Sequence, residues 1–415
     1  MNITKMSLIT ALLIGSSAFA IDNIKTSGDA KLYYTTSDEG TNVDLFSKES
    51  AAAQAAVSLS LSADLTEGIS AGAKLTALST LGLEGQLVNN VWEGTNGTSD
   101  SFITNELWLA GTVGKTTGKI GRMELDTPLV FSEKWSIVAN TFEAAVVINQ
   151  DIPNTTLVGA FVGGSNSSHN STGNGTHAAG IANVIDTSAS GTTFSQFFKG
   201  AYAAGVVNNS WEPLTVQAWY YNATSQAKAY WLQADLNMEG ILLGAQFTGL
   251  DAAGLGVAES NTAFAVMAGY EMKDTVTAKI AYSAVSDDAG IGAGFNLSGS
   301  DIKNGHGSKS QSKLYTEAWW NYGQVAQLDT TTINVTVESP VNGIVDLGLY
   351  ATLVDHGDKN TVGNMTEVTV TAGKTFGPLD TTLAVIYADA DAADTTGTID
   401  PDAVTTIQAY LTYNF

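Results

Sequence analysis

The sequence has no cysteine, so neither a disulfide framework nor a thiolate metal site is open to it. It holds only six prolines, and beyond residue 20 its aliphatic runs are short pieces such as 144–148. A membrane-spanning helix needs roughly 18 or more apolar residues in a row, so any membrane role falls to a closed β-barrel, which satisfies its backbone polar groups internally. Basic residues are scarce as well: 18 Lys and Arg stand against 41 Asp and Glu, for a net charge of −23. Phosphate binding needs clustered Lys and Arg, so this balance argues against nucleic acid as a partner and favours cations, bound or in transit.

Lys5, the apolar run 8–14 and Ala18-Phe19-Ala20 have the layout of a secretory signal peptide, which makes 1–20 a removed leader and 21–415 one domain. The rest is cut by Gly, Asn, Ser and Thr clusters into short alternating segments with no helical period, an all-β pattern. The last of them, 405–415, places Thr405, Ile407, Ala409, Leu411, Tyr413 and Phe415 on one face. Thr406, Gln408, Tyr410, Thr412 and Asn414 fall on the other. Its length matches the roughly nine to eleven residues of a tilted transmembrane strand. A soluble sandwich strand is the competing reading of this stretch.

Eighteen strands are expected, at 24–35, 51–63, 69–78, 105–112, 118–124, 140–150, 156–164, 199–208, 214–222, 227–237, 241–250, 261–272, 276–286, 330–339, 344–354, 365–376, 381–390 and 404–415. Tight turns such as 66–68, 151–154, 273–275 and 377–380 alternate with mostly longer loops, the pattern of short periplasmic turns and long extracellular loops. Segment 313–322 reads as a strand by propensity, but counting it gives an odd total, so it belongs to the long loop 287–329. The expected fold is thus an antiparallel transmembrane β-barrel. In the sixth strand Phe142, Ala144, Val146 and Ile148 are expected toward lipid, and Thr141, Glu143, Ala145 and Asn149 toward a wet lumen. Tyr33, Tyr34, Trp108, Trp219, Tyr220, Tyr221, Trp231 and Tyr413 are candidates for interfacial girdles, with ordinary aromatic packing the alternative for each.

Arg122 is the single arginine and leads into loop 125–139. If that loop narrows a pore, Arg122 with Lys134 on one side and Glu124, Asp126, Glu133 and Glu317 on the other sets a field across it. A strand-end salt bridge is the competing reading. The four histidines lie in loops without zinc spacing, and no hydrolase motif accompanies them, so no catalysis is expected.

The runs G-R-M-E-L-D-T-P-L at 121–129, W-S-I-V-A-N-T-F-E-A-A-V-V-I-N-Q-D-I-P-N-T-T-L-V-G-A-F-V-G at 135–163 and L-Y-T-E-A-W-W-N-Y-G at 314–323 resemble the major outer membrane porin family of campylobacters and related epsilonproteobacteria, an Opr-type family akin to OprD-like channels. The resemblance implies an 18-stranded general diffusion porin of the bacterial outer membrane, a homotrimer with cation preference, whose loops 125–139 and 287–329 fold into the lumen. Its partners would be outer-membrane lipid, small hydrophilic solutes and cations. A calcium ion near the constriction is also implied. Glu124, Asp126, Asp287 and Asp288 are available oxygen ligands, and scattered solvated carboxylates are the competing reading. Leu411, Tyr413 and Phe415 are the expected signal for the barrel assembly machinery. A substrate-specific channel and a surface adhesin are the alternatives in function.

Overall fold

A computed structural model describes residues 22–38, 44–47, 50–79, 101–132, 138–165, 195–256, 259–288, 311–341, 343–357, 363–390, 392–393, 399–400 and 403–415. The expected leader at 1–20 lies outside them. Eighteen strands form one sheet. They are β1 (Asp22–Ser37), β2 (Ala51–Thr66), β3 (Ile69–Ser79), β4 (Ser101–Val113), β5 (Thr116–Met123), β6 (Phe142–Asn149), β7 (Thr155–Ser165), β8 (Ser195–Trp211) and β9 (Leu214–Ala223). The second half holds β10 (Ala227–Met238), β11 (Ile241–Asp251), β12 (Asn261–Met272), β13 (Val276–Val285), β14 (Thr330–Val341), β15 (Val345–His356), β16 (Met365–Phe376), β17 (Leu379–Ala390) and β18 (Val404–Asn414). Each strand pairs antiparallel with its neighbours in sequence, and β18 pairs with β1 from Asp29↔Asn414 to Ser37↔Thr406. The ring is closed, so no edge is left unpaired in lipid.

The outer face follows from period-two alternation. Ile333, Leu347, Leu349, Leu353, Leu383 and Val385 are exposed there, while Asn334, Thr352, Thr369 and Gln408 from the same region are buried on the inner face. An aromatic band crosses the outer wall from β7 to β13 through Phe161, Tyr202, Tyr220, Tyr230, Phe247, Phe264 and Tyr282. Rings 5.2 Å apart at Phe161–Tyr202 and 5.9 Å apart at Phe264–Tyr282 make it continuous across strand pairs. Trp211, Tyr270, Phe376 and Tyr413 are exposed near the opposite strand ends. Of the expected girdle residues only Tyr34, Tyr220 and Tyr413 take the outward parity. Tyr33, Trp219, Tyr221 and Trp231 are buried inside, and Trp108 faces inward under Lys119. Indole N–H groups of Trp219 and Trp231 donate to Gln217 and Gln233 at 2.8 and 2.9 Å, which is what a partly wet inner wall offers and lipid does not.

β6 is turned over relative to the sequence expectation. Phe142 and Ala144 are buried inside, and Glu143 and Val147 are exposed outside. Ala145 and Val147 make the second face apolar too, so alternation cannot orient this strand. What decides is loop 125–139, whose Leu129 and Val130 pack on Phe142 and Ala144 from within.

On the turn side the β10–β11 connection is two residues, Glu239 and Gly240, both at positive φ (53° and 86°). That backbone pair matches the twist of a tight hairpin and favours glycine. Segment 313–322 is irregular, as the strand count requires, with one 3-10 turn at Tyr322–Gln324 starting on its last residue.

Candidate functional site

Two loop segments lie on the inner wall. In the third loop on the long-loop side, Asp126 and Phe131 form an isolated bridge across a tight turn. Thr127 donates through its N–H and hydroxyl to the Val130 carbonyl at 3.1 and 2.7 Å, and Ser132 N–H donates to the Leu125 carbonyl at 2.8 Å. This small hairpin rests on the wall through Leu129, whose N–H donates to the Tyr221 hydroxyl of β9 at 3.4 Å.

The seventh loop, described from 311 onward, is fixed to five strands in succession. Gln246 of β11 donates to the Lys313 carbonyl at 2.8 Å and accepts from Tyr315 N–H at 3.0 Å. The Tyr315 hydroxyl donates to Asp235 of β10. Burial, and after it that carboxylate partner, push the Tyr315 phenol above its ordinary pKa, which keeps it a donor. The Ser283 and Thr316 hydroxyls share a hydrogen bond of 2.6 Å, and Asn334 of β14 donates to the Glu317 carbonyl at 3.2 Å. Glu367 of β16, 1% exposed, accepts from the N–H groups of Trp320 and Asn321 at 3.0 and 2.7 Å and from the Asn321 amide at 2.8 Å. Trp319 packs on Tyr350 with ring centroids 4.9 Å apart, and Tyr350 donates to Glu338 at 2.8 Å. The loop thus lies along the wall from β10 to β16, with Leu314, Ala318, Val325 and Ala326 in the same apolar cluster as Trp231 and Val354.

The interior carries charges of both signs. Lys31, Lys74 and Lys119 point inward from β1, β3 and β5, interleaved with Asp29, Glu106 and Glu124; Lys31–Asp29 measures 3.9 Å and Lys74–Glu124 4.0 Å. Across the ring, β10, β14 and β16 carry Asp235, Glu338 and Glu367 beside tyrosine, asparagine and backbone donors. A solute in the lumen therefore meets alternating ammonium and carboxylate groups along β1 to β5, and mainly carboxylates with neutral donors along β10 to β16.

The sequence-chosen residues divide. Asp126 and Glu317 belong to the two inward segments, and Glu124 joins the lysine wall. Arg122 does not join them. It shares the outward face with Ile120 and with Leu107, its neighbour across β4, which is 61% exposed. Its guanidinium donates to the Thr104 carbonyl at 2.9 Å and pairs at 3.1 Å with Glu143, its cross-strand partner on β6. The strand-end salt bridge is the reading that fits. Glu133 and Lys134 lie outside the described residues. Asp287 and Asp288 are exposed at the start of the seventh loop. Glu124 and Asp126 each face a lysine, and among the described residues no three His, Asp or Glu side chains gather as a metal site would need. Lys74, Lys119, Asp235 and Glu367 were missed; each sits at a lumen-parity position in its strand, and that parity is the signal that finds them. Replacing Arg122 by alanine is expected to leave the reversal potential under a salt gradient unchanged, while Lys74→Ala shifts it toward greater cation preference.

No family model matches the chain, and no curated protein matches it in sequence. Solved structures do match. Pseudomonas aeruginosa OccK8 (OprE) is 16% identical with a TM-score of 0.70, over 96% of this chain and 99% of that one. P. aeruginosa OpdK with vanillate is 14% identical with a TM-score of 0.69, over 96% and 100%. P. aeruginosa OpdQ is 13% identical with a TM-score of 0.65, over 94% and 97%. The chain therefore has the fold of these structures along nearly its whole length, a closed 18-stranded antiparallel β-barrel.

Proposed function

We propose that this protein is a substrate-selective channel of a bacterial outer membrane, passing small charged hydrophilic solutes. The observation that carries this is the seventh loop fixed to five wall strands, inside a lumen lined with charged groups of both signs. A general diffusion pore, the first expectation from sequence, needs only a size cutoff. An interior of opposed charges held in fixed positions offers a path for particular groups. The similarity in fold to OpdK, solved with vanillate, supports a solute with one carboxylate near the lysine wall. The acidic balance of the chain supports cation preference in simple salt. The likeness to campylobacter porins and a trimeric assembly belong to the same proposal, and sedimentation of the detergent-extracted protein tests the trimer.

Reconstitution into planar bilayers under a salt gradient tests the function. Conductance steps with a cation-side reversal potential are expected, and flux of a small carboxylate should saturate with concentration. Flux that stays linear would return the protein to the general diffusion class, and absence of steps would remove the channel reading altogether.

A further inference from the structure

The hairpin of the third loop has chemistry that the channel reading leaves unused. Its single bridge sets Asp126 and Phe131 opposite each other, which places a carboxylate beside an aromatic face. That pairing recognises an ammonium group: the carboxylate takes charge-assisted hydrogen bonds and the ring attracts the cation through its quadrupole. An ammonium already sits there. Lys313 Nζ is ion-paired with Asp126 and lies 4.9 Å from the Phe131 ring centroid.

Lys313 reaches this position from the other inward segment. Its backbone is held on the wall by Gln246, while the hairpin is held by Tyr221, so ligand and receptor are anchored separately. The Asp126 side chain is 76% exposed, while Phe131 is 4% exposed with Lys313 over its ring, so the carboxylate faces the lumen and the ring is reached where the lysine now lies.

We propose that the Asp126–Phe131 hairpin is a binding station for organic ammonium solutes, with Lys313 as a tethered occupant that such a solute displaces. The station's role in transport rests on the channel reading above; its binding chemistry does not. A group tethered by a short flexible arm competes at an effective concentration on the order of millimolar, so dilute ammonium solutes pass the wild-type hairpin without stopping. Removing the lysine's charge opens the station while leaving carboxylate and ring in place.

The test uses n-butylammonium chloride with the full chain, read by calorimetry on the detergent-solubilised barrel and by conductance block in bilayers. Lys313→Met is expected to bind butylammonium about tenfold more tightly than wild type, the tethered competitor being gone. Asp126→Asn, alone or combined with Lys313→Met, is expected to bind no better than wild type, and Lys313→Met with Phe131→Ala should fall between. Equal affinity in Lys313→Met and wild type overturns the station. An equal gain in Asp126→Asn also overturns it, since loosened loops rather than a freed receptor would then be responsible. Calorimetric binding without conductance steps would keep the station and remove the channel.

Discussion

Replacing Glu367 by alanine is expected to widen the channel. Its buried carboxylate holds Trp320 and Asn321 through three hydrogen bonds of 2.7 to 3.0 Å. Hydrogen bonds contribute about 0.5–1.5 kcal/mol each in net terms and a buried N–H left without a partner costs about 1–3 kcal/mol, so the loop loses on the order of 5 kcal/mol of anchoring. The ring of β-strands does not depend on this contact, so the barrel should still fold. Single-channel conductance is expected to rise, current noise to grow, and larger polymers to enter. Glu367→Gln keeps the side chain's volume and one acceptor oxygen, and should fall between. Unchanged conductance and polymer exclusion in both variants would show that the pinned half of the seventh loop does not limit the pore.

The second large effect is expected where the barrel closes. Phe415 N–H donates to the Gly28 carbonyl at 2.9 Å, and the Phe415 carbonyl accepts from Gly28 N–H at 2.7 Å. The Phe415 ring lies over Gly28, where an added Cβ would sit 2.5 Å from the ring and 2.6 Å from the Ser58 carbonyl. Gly28→Val therefore cannot keep both the seam and the ring in place. Overpacking of this kind costs about 1–3 kcal/mol, and losing the terminal pair of hydrogen bonds adds about 0.5–1.5 kcal/mol for each. Folded barrel recovered from membranes, read as the heat-modifiable band in electrophoresis, should drop sharply for Gly28→Val and for deletion of Phe415. Gly118→Ala is the control, because a Cβ there meets nothing within 4 Å. Wild-type yield of both seam variants would show that closure does not rely on the terminal aromatic. It would also count against Leu411, Tyr413 and Phe415 as an assembly signal.

Strand order, number and limits are largely legible in the sequence. The segments at 261–272 and 365–376 coincide with β12 and β16, and excluding 313–322 on strand parity agrees with its irregular backbone. In the middle of β14 and β15, Ile333, Val335, Val337, Leu347, Leu349 and Leu353 alternate with Asn334, Thr336, Glu338, Gly348, Tyr350 and Thr352, so the period of two assigns lipid and lumen there. In β5, T-T-G-K-I-G-R-M, Lys119 and Arg122 fall on opposite faces and glycine occupies two positions. Nothing local chooses between the faces, and Arg122 draws attention because it is unique in the chain rather than because of its parity.

The sequence by itself determined a closed all-β wall, because a chain with few prolines, no long apolar run and sustained alternation has few other ways to satisfy its backbone in lipid. Only the tertiary structure decided what fills the lumen. Phe142, Trp219 and Trp231 face inward under the two inward loop segments, and an apolar residue under a loop looks the same in sequence as one facing lipid. The meeting of Lys313 with Asp126, 187 residues apart, was likewise invisible, because the closed ring and two separately anchored loops, not local spacing, bring those charges together.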